Sequence, residues 1–289
     1  MKTYLTIALS FTAAFSGVGQ TKGILDKNPT ETCTNGLVYV ICHGSNPRQR
    51  LNAVHSLSTD LNQAEIKALY EFLESHPGTD RKTWVTLHYL KNDVLTALQN
   101  QTEPPQGLAD VMVGIYNDPA QDLVTRDYAI QHLITWYSQG AHGGEDARAR
   151  IRATLLDAAG QNDSIAGTAL LGLHRLSKSD PISKSEEIKR IALRLIETTE
   201  ISPAAKVTAI QVCAEREIVE ALPAVEQLAQ GPGDMALKVS AISALGRLGG
   251  PAQAVLLRHL DLHTDKMFKP AIQSALERLD YKLASRTPF

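Results

Sequence analysis

The chain reads as an all-α protein, an α-solenoid of about seven stacked helical hairpins, on three observations. A small residue followed at once by an aliphatic one returns along the chain, at Ala53-Val54, Thr86-Leu87, Ala129-Ile130, Ala169-Leu170, Ala209-Ile210, Ala241-Ile242 and Ala271-Ile272. These anchors recur every 30 to 43 residues, which is the period of stacked helical pairs. A further core residue stands four after the anchor, at Leu57, Leu90, Leu133, Leu173, Cys213 and Leu245, completing the i, i+1, i+4 grouping of a helix face that points inward. The anchor is small because neighbouring helices approach closely there.

Several of the anchor helices have recognisable start signals. Asn46-Pro47, Asp118-Pro119 and Ser202-Pro203 put a capping side chain before a proline, and Asp163 and Asp234 are expected to cap in the same way. A basic residue stands three before the anchor at Arg50, Arg126, Lys206 and Lys238, with an acid four residues earlier in Asp122/Arg126 and Asp234/Lys238. That order and spacing predict helix-supporting ion pairs.

A partner helix precedes each anchor helix. The periodicity predicts them over Asn62 to Ser75, Leu108 to Tyr116, Glu186 to Thr199 and Leu222 to Gln230. Leu37-Val38-Tyr39-Val40-Ile41 has the local propensity of a strand, but the stretch from Gly36 aligns with the one from Gly107. Repeat context favours a helix. Connectors fall at 99–107, 138–144 and 177–183.

Composition agrees with an array. Of 289 residues 43% are hydrophobic, enough for a core, and a repeat unit covers its apolar face only with its neighbours. Residues 36–284 are therefore expected to form one domain. The balance of 29 basic and 31 acidic side chains gives no field for phosphate backbones, and 5% aromatic content provides few platforms for stacking bases. Nucleic acid is not an expected partner.

The N-terminus is set apart. Lys2 is followed by an apolar run from Tyr4 to about Val18, shorter than the roughly 20 residues that span a bilayer. Gly17-Val18-Gly19 offers small side chains before Gln20. Residues 1–19 thus read as a bacterial-type signal peptide, followed by an extended segment over 20–35, with a short tail over 285–289. The expected location is exported, periplasmic or secreted, with no membrane contact beyond the export signal.

The run Asp234-Met-Ala-Leu-Lys238-Val-Ser-Ala241-Ile-Ser-Ala-Leu245-Gly-Arg-Leu-Gly249 resembles the second-helix motif of HEAT and HEAT-like repeats, and the resemblance extends over nearly everything after about residue 35. It implies a right-handed superhelix whose second helices line the concave side. It also implies a binding scaffold, with a minority of enzymes such as the phycobilin lyases and certain DNA glycosylases in the same fold.

The register then selects candidate residues. Positions two after the anchor, His55, His88, Gln131, Leu171, Gln211, Ser243 and Gln273, share a stripe with those six after, among them Arg175 and Arg247. If the second helices are concave, this mostly polar row can hydrogen-bond a protein, peptide or glycan. Cys33 and Cys42 are close enough in sequence for one local disulfide in an oxidising compartment, whereas Cys213 falls in register with core leucines and reads as a small hydrophobe. Trp84, Trp136 and Tyr137 are candidate contact aromatics, with Trp136 in register with the core residues Leu176 and Leu248. His259 and His263 are one helical turn apart without an identifiable third ligand, and His142 to Glu145 forms a connector. No nucleophile elbow, zinc-protease or phosphate-loop signature is present. The expectation is a binding protein with no cofactor, no metal and no catalytic residues of its own; the alternative is a lyase-like enzyme or maturation factor.

Overall fold

The computed structural model describes residues 36–76, 81–140, 143–178 and 185–285, with side chains in the second segment from residue 87 onward. Residues 1–35, with the expected signal peptide and Cys33, the side chain of Trp84, His142 and the last four residues lie outside what is described. So does the side chain of Thr86.

The described chain is all-α: fourteen α-helices and, among the described residues, no strand. They form hairpins in chain order. These are α1 (Gly36–His43) with α2 (Pro47–His55), α3 (Gln63–Glu74) with α4 (Arg81–Gln99), α5 (Leu108–Asn117) with α6 (Leu123–Ser138), and α7 (Gly144–Gly160) with α8 (Ile165–Leu176). Then come α9 (Ser185–Glu197) with α10 (Pro203–Glu215), α11 (Leu222–Gln230) with α12 (Met235–Leu248), and α13 (Pro251–His263) with α14 (Lys269–Ala284). The strand-like Leu37–Ile41 lies in α1, because Val38 and Ile41 bury as an i, i+3 pair of a helix. Among the described residues no helix is long and apolar enough to cross a membrane.

Every second helix packs on the next: α2 on α4, α4 on α6, and so on to α12 on α14. The anchors lie in that layer. Ala129, Ala169, Ala209 and Ala241 have no exposed surface, nor do Ile130, Leu170, Ile210, Ile242 and Ile272. A fully buried aliphatic side chain contributes about 1.5–3 kcal/mol, so each repeat adds to one continuous core. Cys213 and Trp136 are core residues, and burial pushes the Cys213 thiol up to about 12. Tyr137 is not the open contact aromatic of the sequence reading, because it is buried with the Arg148 guanidinium 5.2 Å from its ring centre.

The approach between second helices is close enough to exclude a methyl group. A Cβ on Gly246 would lie 2.7 Å from both the Cα and the carbonyl oxygen of Ala275, and one on Gly167 would lie 2.8 Å from Cα of Ala205. The first helices are instead joined in part by surface ion pairs: Arg150 to Asp110 at 2.9 Å between α7 and α5, and Arg152 to Glu187 at 3.6 Å between α7 and α9. Such exposed pairs contribute little.

Three sequence expectations, on Asp118, on the acid–base pairs and on Ser202, are corrected. Asp118 does not start α6: it is the C-cap of α5, and Asp122 caps α6 through the Val124 and Thr125 amides. Nor do the acids pair with the bases four residues on. Asp122 and Asp234 are occupied by helix N–H groups, and the bases reach backwards, Arg126 donating to the Tyr116 carbonyl at 2.7 Å and Lys238 to that of Gly231 at 3.5 Å. Arg50 does the same to Ile41 at 2.7 Å. The carboxylates are already taken as caps, and the free carbonyls at the end of the preceding helix, with its dipole, attract the cation. Asn46 caps α2 as expected, Asp163 accepts from the Ile165 amide, and Ser202 precedes α10 without a side-chain cap.

Gly246→Ala is expected to lower stability by about 2 kcal/mol, since backbone rather than a flexible side chain must move. Urea unfolding checks this, and a change within about 0.5 kcal/mol would contradict the close approach.

Candidate functional site

The row predicted from the register lies along the stacked second helices. His55, Gln131, Gln211, Ser243, Gln273, Arg175 and Arg247 are all exposed, one set on each of successive helices. His88 is the exception. Its side chain is only 13% exposed, stacked edge-on against Tyr89 at 4.5 Å with Nδ1 3.9 Å from Asp122. Gln131 is partly engaged on its own helix, donating to Asp127 at 2.8 Å.

At the N-terminal end, His55 Nε2 sits 3.2 Å from Asp93 Oδ2 beside a cleft of about 280 Å³ between the ends of α2 and α4. The polar chain continues inward. Asn92 donates to Asp93 at 3.3 Å, and the buried His132 of α6 has Nε2 3.0 Å from Asn92 Oδ1 and Nδ1 2.7 Å from Gln99 Oε1. Burial pushes His132 down to about 4, so at neutral pH the ring is uncharged and has one N–H to share between two oxygens.

On α4, one hairpin earlier, Lys91 is buried as well. It is 1% exposed and donates to the Ser75 carbonyl at 2.5 Å and to Gln121 Oε1 at 2.8 Å. Burial pulls it down to about 8, against the opposing attraction of Asp122 and Asp118. It ties the end of α3 to the loop before α6, where Gln121 also donates to Glu74.

The C-terminal half holds a second network. His174 on α8 is buried, its Nδ1 accepting from Arg216 Nε at 2.9 Å and its Nε2 2.8 Å from Glu215 Oε2. Since Nδ1 accepts, the neutral ring carries its proton on Nε2 and donates to Glu215. Burial, with Lys178 and Arg216 nearby, lowers His174 against the pull of Glu215. Burial alone would raise Glu215, but the His174 and Lys178 contacts outweigh it and hold the carboxyl below its usual range. Arg216 also reaches Ser185 at 3.0 Å and Ser177.

Beside this network, a cleft of about 370 Å³ opens between the ends of α10, α12 and α14, lined by Glu215, Glu217, Arg247, Arg278 and Lys282 together with Ala214 and Gly246. Lys282 is held on the carbonyls of Arg247 and Gly249, at 2.6 and 3.2 Å. Glu217 has φ of 55°, and the Ile218 amide bonds back to Cys213 at 2.9 Å, the helix-ending turn that favours glycine.

Of these residues the sequence reading had named His55, His88, Gln131 and Arg247. It missed Lys91, His132, His174, Glu217, Arg278 and Lys282. A signal existed for two: Lys91 and His174 both stand five after an anchor, where Ala214 and Gly246 mark a position facing the next helix. The Cys33 partner of the expected disulfide lies outside the described residues; Cys42 is half-buried with Sγ 3.7 Å from the Ala68 carbonyl. His259 and His263 stack 4.4 Å apart on α13, and among the described residues no cluster of three potential metal ligands occurs. No protein-family model matches the chain, and no curated protein matches it.

His132 gives a pH prediction with a fixed sign. Its folded value lies below the unfolded 6.5, so its contribution is complete above about pH 6.5 and is lost as pH falls toward about 4, by on the order of 3 kcal/mol. Urea midpoints across that window are expected to fall more steeply for the native chain than for His132→Gln. Parallel slopes would contradict a buried neutral imidazole.

Proposed function

We propose that this chain is a binding scaffold, without catalysis of its own, that engages a protein, peptide or glycan through the face of its second helices. The observation that carries this reading is the register itself: an exposed polar residue two after the anchor recurs on α2, α6, α10, α12 and α14, within one layer of stacked second helices. A side chain repeated at that position yields a line of donors and acceptors at intervals of about one helix spacing, 8–10 Å. An extended partner meets such a line repeatedly, and many weak contacts add.

The packing supports curvature in the sense that the HEAT resemblance implies. Second helices approach closely enough to exclude a Cβ at Gly246 and Gly167, while first helices are spaced by long side chains in surface pairs. A layer with narrower spacing becomes the inner side of a superhelix. The row then lines the concave side. Export through the apolar N-terminal run belongs to the same proposal and sets where the partner is sought.

The test is capture from the envelope fraction of expressing cells with the native chain and with Gln131→Ala, Gln211→Ala and Gln273→Ala combined. These side chains are exposed, so the triple variant is expected to keep its unfolding midpoint and lose at least roughly tenfold in partner recovery, about 1.4 kcal/mol. Recovery of the same partners in equal amount would overturn the reading.

A further inference from the structure

The cleft between α10, α12 and α14 has an arrangement of charge that the packing of the helices does not require. Two of its ionic groups are committed. Lys282 closes the C-terminus of α12 through the Arg247 and Gly249 carbonyls, and Glu215 is shared by His174 and Lys178. Among the described residues Arg278 reaches the Ser243 hydroxyl alone, at 3.5 Å. The guanidinium of Arg247 and the carboxylate of Glu217 line the same cleft and, among the described residues, neither enters an ion pair. Opposite charges that share a cleft of about 370 Å³ without joining leave room for something between them.

Glu217 sharpens the point. Its φ of 55° is the left-handed conformation in which a residue with a side chain is about 1 kcal/mol worse than glycine. A glycine would end α10 with less backbone strain, and the residue at this turn instead carries a carboxylate into the cleft lining.

We propose that this cleft is a subsite for a short zwitterionic peptide, with its C-terminal carboxylate between Arg247 and Arg278 and its ammonium group on Glu217. The cleft belongs to the second-helix face, so the subsite rests on the reading of that face as the binding surface. Cationic and anionic side chains lining one cleft suit a dipolar ligand. A phosphate dianion gains from Arg247 and Arg278 but meets Glu215 and Glu217 in the same lining. A peptide with free termini offers a charge to each sign, and Arg is well suited to a carboxylate because its fork donates two parallel bonds. The volume falls in the range of small-ligand clefts.

Calorimetric titration of the full chain with trialanine, N-acetyl-trialanine and trialanine amide tests this. Trialanine is expected to bind with Kd of about 1 mM or tighter, and each blocked form roughly tenfold more weakly. Arg247→Gln is expected to abolish the difference between trialanine and its amide. Glu217→Gln is expected to abolish the difference between trialanine and its acetylated form. Glu217→Gly serves as the fold control, since it should unfold at a higher urea concentration while still losing discrimination against acetylation. Absence of trialanine binding at about 10 mM, or equal affinity for the three peptides, would overturn the subsite. If trialanine fails while the triple glutamine variant still loses its captured partner, only the subsite falls; if trialanine binds as described and capture is unaffected, the subsite stands and the extended row falls.

Discussion

The rest of this structure depends on how closely the second helices approach one another. A hairpin of two amphipathic helices cannot cover its own apolar surface, so the aliphatic residue after each anchor must be buried by the next repeat. That happens only where the anchor is short. Ala129, Ala169, Ala209 and Ala241 are fully buried at that contact, and Gly246 and Gly167 let backbones meet where a methyl group would not fit. Once these helices are in contact, the position of every other residue on them follows, including the exposed row.

The same constraint explains where the buried polar groups are. On α4, α8, α10 and α12 the position five after the anchor is buried. Where it is Ala214 or Gly246 the residue is small, and at Gly246 the backbone of α14 comes close. Where it is Lys91 or His174 the side chain must find partners inside, and it does so in the next turn region: Lys91 on Ser75 and Gln121, His174 on Glu215 and Arg216. These networks sit at helix ends because free carbonyls and flexible termini are available there. One of them reaches the rim of the second-helix face, where Glu215, bonded to His174, lines the C-terminal cleft.

Much of the architecture was legible in the residues, because helix periodicity and repeat spacing are local properties read directly from positions such as Ala241-Ile242 and Leu245. The repeat alignment placed α1 correctly where strand propensity at Val38 to Ile41 pointed elsewhere. Capping was legible only in part. Asn46 was found because its proline follows at once, whereas Asp118 misled because the same pair also closes α5. The bases three before the anchors were assigned to neighbours on their own helix, since spacing along one helix says nothing of the carbonyls of the helix before. The site was less legible still. Arg278, Lys282 and Glu217 come from different repeats and different offsets, and their convergence is a property of how α10, α12 and α14 end.

The most direct measurement of the central claim is a set of distances between paired spin labels on the exposed row, at Gln131 with Gln211, Gln131 with Ser243, and Gln131 with Gln273. Successive second helices in contact predict separations that lengthen in that order by roughly 8–10 Å per intervening hairpin, somewhat less if the row lies on an inner curve. Distances that fail to increase in chain order would contradict the stacking on which the core, the row and the cleft all depend.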